Sequence, residues 1–129
     1  MKNAARLITL ASIIQILGYA YALPGHIGEA TWSHHAQFHL FLSWIWIVGL
    51  DIAILYLAWV PLQKRERSSF WLLLFLFITA QGGHFIASLV EPAGQPTEWW
   101  YDYALGTVAL IFAVGLVMAW KALARLNVD

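Results

Sequence analysis

The chemistry this sequence offers is concentrated in three histidines, His35, His39 and His84, with carboxylates Glu91 and Asp102 further along the chain. Side chains three or four residues apart share one face of a helix. His35, His39 and Ser43 therefore form one stripe, and Gln81, His84, Ser88 and Glu91 form another. Gln15 with Tyr19, and Tyr103 with Thr107, repeat the four-residue spacing. An imidazole titrates near neutral pH, and a nearby carboxylate orients it or stabilises its cation, so this set suits general acid–base catalysis. The same His-x-x-x-His spacing can hold a transition metal, and histidines on neighbouring helices can ligate haem or a chlorophyll-type pigment.

Of 129 residues, 61% are hydrophobic and 11% charged, against roughly a quarter charged in a soluble domain. Four apolar stretches of about 20 residues, the length that matches the hydrocarbon thickness of a bilayer, fill most of the chain. We expect an all-α integral membrane protein, one antiparallel up-down-up-down four-helix transmembrane domain over residues 1–129, with spans at 4–23, 34–60, 69–90 and 101–123. Pro24-Gly25 is expected to end the first helix, and Ser33 and Thr97 to cap the second and fourth. Lys2, Arg6 and the Ala20-Tyr21-Ala22 triplet imitate a cleavable signal; we read the segment as a retained span. With no cysteine, disulfides, thiolate metal sites and cysteine nucleophiles are excluded. Zero net charge without a basic stripe gives no sign of a nucleic-acid partner.

All seven basic residues fall at the N-terminus (Lys2, Arg6), in the central loop (Lys64, Arg65, Arg67) or near the C-terminus (Lys121, Arg125). The positive-inside rule then places both termini in the cytoplasm, N-in and C-in, and we expect a bacterial inner (plasma) membrane. Trp32, Trp99, Trp100 and Tyr101 would form the outer aromatic belt, and Trp59, Trp71 and Trp120 the inner one. A shift of 66 residues pairs Gln15 with Gln81, Thr31 with Thr97, and Val48-Gly49-Leu50 with Val114-Gly115-Leu116. Duplication of a helical hairpin would leave such a pattern, as would chance matching in apolar sequence.

His39 and His84 each lie roughly 8–10 Å below the outer end of their helices at 1.5 Å per residue, and Gln15 and Thr107 are expected near the same level. Polar groups inside membrane helices usually face the bundle interior. The expectation is an outward-opening pocket lined by Gln15, Tyr19, His35, Ser43, His39, Gln81, His84, Ser88, Tyr103 and Thr107. Glu91, Asp102, Trp99 and Trp100 would stand at its mouth. His26 and His34 read as surface residues of the outer loop, and Trp44 and Trp46 as packing. Asp51 stands apart, deep in the second helix with no basic residue at its level; it suits a proton relay or a neutral acid bonded to backbone.

Three readings follow. The first is an enzyme in which His35, His39 and His84, tuned by Glu91 or Asp102, isomerise, cyclise or open an epoxide on a lipophilic small molecule without a cofactor. In the second, His35, His39 and His84 bind a transition metal, haem or a pigment. In the third, the chain is an accessory subunit of a larger membrane complex or a homo-oligomer, and its polar residues are interhelical hydrogen-bond glue.

His35-Ala36-Gln37-Phe38-His39, preceded by Trp32 and running into a long apolar helix, resembles the H-A-x-F-H motif of a group of uncharacterised small four-span membrane proteins. That resemblance implies the four-span layout and singles out His35 and His39, and it adds no reaction. The general plan is also similar to the four-helix core of membrane sterol isomerases, at the level of fold alone.

Overall fold

Long runs of leucine, isoleucine, alanine and phenylalanine between short polar breaks fold into four α-helices: α1 (Lys2–His26), α2 (His34–Trp59), α3 (Arg67–Val90) and α4 (Trp99–Ala124). The computed structural model describes residues 1–27, 30–90 and 99–125, with side chains for all of these except His26, His84, Phe85, Ala87, Ser88, Trp99, Trp100, Tyr101 and Asp102. The cap expected at Thr97 and the loop carboxylate Glu91 lie outside the described residues. Among the described residues, three helices are long and apolar enough to cross a membrane: α1, α2 and α4.

The helix ends follow local chemistry with one departure. Ser33 caps α2, its Oγ accepting from the amide of Ala36 at 3.2 Å, which satisfies one of the four donors a helix start leaves free. Pro24 does not end α1, which runs on to His26. Proline removes only one amide bond, and in the last turn that loss is tolerated; the amide of Ile27 still reaches the carbonyl of Leu23 at 3.1 Å. Between α2 and α3 the chain reverses in a tight turn, with Arg65 at φ 64° and the amide of Glu66 donating to the carbonyl of Pro61 at 3.1 Å.

Each helix touches its two neighbours in the order α1, α2, α3, α4 and back to α1, so the bundle is a closed ring. The core fills the end nearest the N-terminus: Ala4, Ala5, Ile8 and Ala11 of α1 meet Phe112, Leu116, Ala119 and Leu123 of α4, with Ile54, Ala58, Leu62, Phe70 and Leu73 completing it. Small residues on α1 and Gly115 on α4 allow the backbones to come close, as small residues do in membrane bundles. A Cβ at Gly115 would stand 2.9 Å from Ile8 Cγ1 and 3.2 Å from the carbonyl oxygen of Ala4. The α1–α2 seam is tied by Trp59, whose Nε1 donates to Thr9 Oγ1 at 2.7 Å, and the α3–α4 seam by stacked Phe77 and Phe112 rings 5.1 Å apart.

Polarity runs inside out. Ser12, Gln15, Asp51, Ser69 and Gln81 are buried, while Leu17, Phe38, Trp46, Ile52, Phe75 and Leu110 are exposed. Water would oppose that arrangement, whereas hydrocarbon around the bundle would favour it.

Candidate functional site

Gln15 and Gln81 start the site, because their hydrogen bond crosses the bundle. Gln81 Nε2 donates to Gln15 Oε1, joining α1 to α3, which are not ring neighbours. Both side chains are buried, at 8% and 6% exposure. Each lies about 20 Å along its helix, near the middle of the bundle and deeper than the outer-half level expected from sequence. Paired in this way, each amide has a partner, as a buried amide requires.

Beside this bond lies a cavity of about 240 Å³. α1 contributes Gln15 and Tyr19, α2 contributes Ser43, Trp46, Ile47, Leu50, Asp51 and Ile54, and α3 contributes Thr79 and Ala80. It extends about 16 Å along α2, from Ser43 to Ile54. Trp46, Leu50 and Thr79 are exposed, so its open side is the seam between α2 and α3.

Asp51 is the chemical feature of the cavity. It is 1% exposed, and among the described residues no cation pairs with it. The Ser12 hydroxyl faces it from α1, yet Asp51 Oδ2 and Ser12 Oγ complete no hydrogen bond, and Trp44 Nε1 is a third buried atom without a partner. A buried orphan polar atom is costly and asks for an explanation. Asp51 therefore does not stand apart: it shares one cavity with Gln15, Tyr19 and Ser43. The sequence held the signal, since Ser43, Ile47, Leu50, Asp51 and Ile54 follow the steps of three and four that mark one helix face.

The histidine pair lies outside this cavity. His35 and His39 are exposed, with their Nε2 atoms 3.1 Å apart and their rings edge to face. His39 sits one turn beyond Ser43, whose Oγ donates to the His39 carbonyl at 2.8 Å. Tyr103 and Thr107 also lie elsewhere, exposed on α4, with the Thr107 hydroxyl donating to the Tyr103 carbonyl at 2.8 Å. That internal bond satisfies the hydroxyl without a ligand. His84, Ser88, Glu91, Trp99, Trp100 and Asp102 fall outside the described side chains. Among the described residues no three histidines or carboxylates gather as a metal site would require.

The geometry defines an all-α four-helix protein, apolar outside, with a largely apolar cavity between α1, α2 and α3 that carries a few polar side chains, Asp51 among them. No family model, curated protein or solved structure matches the chain.

Proposed function

We propose that the chain is an integral membrane enzyme that moves a proton on a lipophilic small molecule admitted sideways from the bilayer. In this reading all four helices cross the membrane, in an antiparallel bundle with both termini cytoplasmic. The observation that carries the reading is Asp51, a buried carboxyl group with an orphan oxygen on the wall of a cavity open between α2 and α3. An unpaired ionisable group at such depth is costly and marks function more often than packing.

The donor set suits isomerisation. Asp51, held as the neutral acid, gives its proton to one end of a double bond in the substrate, and the carboxylate left behind removes a proton from the carbon attached to the other end. The double bond shifts, Asp51 is restored, and no cofactor or oxidant is consumed. Gln15, Tyr19 and Ser43 would orient the polar end of the substrate, while Trp46, Ile47, Leu50 and Ile54 enclose its apolar body. His35 and His39, one turn and more beyond Ser43, would exchange protons between the cavity mouth and external water.

The test is deuterium exchange. Purified protein in deuterated buffer is incubated with monoterpenoid and sesquiterpenoid enones, and incorporation is read by mass spectrometry. Wild type should incorporate deuterium and Asp51→Asn should not; equal exchange by the two would defeat the assignment.

A second reading rests on the histidine pair, because Nε2 atoms 3.1 Å apart on an exposed helix face are spaced as two ligands of one tetrahedral ion would be. Elemental analysis and an absorption spectrum of the purified protein test it. A stoichiometric metal or pigment lost in His39→Ala would support ligation, and a colourless, metal-free protein would leave the pair to proton exchange.

A further inference from the structure

A second cavity, about 530 Å³ in volume, lies at the opposite end of the bundle between the start of α1 and the end of α4. Lys2, Asn3 and Ala4 line it from α1, and Met118, Lys121 and Arg125 line it from α4. Three of these side chains are cationic, and among the described residues lining it none is acidic. No acidic residue occupies the first turn of α1 either, so the partial positive charge of that helix end adds to that of the side chains.

Three like charges around one cavity repel one another unless an anion joins them, and the cavity is large enough to hold one. Lys121 lies in the last turn of α4 and Arg125 directly after the helix end, and both line this cavity. Ala4 and Met118 give the same cavity an apolar wall that continues into exposed Val117. A charged rim above an apolar wall at the cytoplasmic end of a bundle has the form of a lipid headgroup site.

We propose that Lys2, Lys121 and Arg125 form a binding site for a phosphate group, carried by an anionic phospholipid of the inner leaflet or free in the cytoplasm. The phosphate would sit between the α1 and α4 cations, and the acyl chains of a lipid would descend past Met118 and Val117. The depth of the site rests on the four-span reading and does not involve the chemistry of Asp51. Failure of one proposal therefore leaves the other standing.

The test is thermal unfolding of the full chain in mild detergent, followed by tryptophan fluorescence, with three probes: short-chain phosphatidylglycerol, phosphatidylcholine of the same chain length, and inorganic phosphate. Phosphatidylglycerol should raise Tm in a saturable way and phosphatidylcholine should not. An equal rise with inorganic phosphate would show that a free phosphate suffices, and no rise with it would show that the lipid chains are needed. Neutralising two cations in Lys121→Gln/Arg125→Gln should raise the half-saturating concentration roughly thirtyfold, and Lys2→Gln about fivefold. Lys64→Gln/Arg67→Gln, which removes equal charge beside the central loop, should leave it unchanged. Equal stabilisation by the two lipids without any effect of phosphate, or equal weakening in both double variants, would overturn the proposal.

Discussion

Replacing Asp51 by leucine separates a functional carboxyl from a structural one, because the two roles predict opposite signs. Leucine has the same branched heavy-atom skeleton as aspartate with bulkier methyl ends, and the cavity that Asp51 lines gives those ends room. Asp51 Oδ2 makes no hydrogen bond in the folded chain, and a buried polar group left unsatisfied costs about 1–3 kcal/mol. The hydrophobic gain from leucine is small in a bilayer, since lipid tails are as apolar as its side chain. Removal of the orphan carboxyl should thus stabilise the fold by about 1–3 kcal/mol. The assay is reversible unfolding in sodium dodecyl sulfate, followed by the fluorescence of the eight tryptophans, alongside the deuterium exchange described above. The expected result is a variant that is more stable and inactive, the exchange of activity for stability that active sites show. A leucine variant less stable than wild type by 1 kcal/mol or more would refute the reasoning and make Asp51 a structural residue.

The remaining predictions concern packing and topology. Gln15→Leu and Gln81→Leu should each cost about 1–3 kcal/mol by stranding the partner amide, while the double variant should cost less than the sum, as a double-mutant cycle in detergent would show. Trp59→Phe deletes the 2.7 Å bond to Thr9 and should lower unfolding free energy by about 1 kcal/mol. Gly115→Ala should prove less stable than Gly49→Ala by about 1–3 kcal/mol: both gain the same helix propensity, but only position 115 meets a crowded neighbour. A reporter fused after the C-terminus should be cytoplasmic, and activity of an extracytoplasmic reporter there would reverse the orientation read from Lys2, Lys64 and Arg125.

The helices were legible in the sequence because long apolar runs and punctuation by Ser33 and the central polar loop are local signals. Pro24 misled by three residues, since a proline in the last turn removes one bond without unwinding that turn. Gln15 and Ser43 were legible as polar residues on apolar helices, but their company was not. Which face of α4 turns inward depends on packing against α1, and that packing turns Val108, Phe112 and Leu116 inward and leaves Thr107 outside. Asp51 was misjudged for a related reason. Its depth set it apart from the histidines along the helix axis, whereas membership of a cavity depends on angular position, and Ser43, Ile47 and Asp51 lie on one helix face.

The cavity lies at the looser of two seams of the bundle. A 66-residue shift pairs Gln15 with Gln81 in the sequence, and in the fold these two side chains meet at the centre of the bundle. If one hairpin were the copy of the other, a two-fold axis would pass between α1 and α3 near this bond. The same axis would relate the α1–α4 seam to the α3–α2 seam. At the first, Gly115 presses against Ile8 and Ala4; at the second, its counterpart Gly49 has no neighbour within 4 Å, and α2 and α3 touch more sparsely than α1 and α4 do. The tight seam carries most of the core, which Ile54, Ala58, Phe70 and Leu73 of α2 and α3 complete, and the loose seam holds the cavity with Asp51 on its wall. Ile54 of α2 belongs to both the core and the cavity wall, so the two adjoin there. Closing the loose seam with a bulky side chain at Ala80 should abolish proton exchange and leave the α1–α4 core undisturbed.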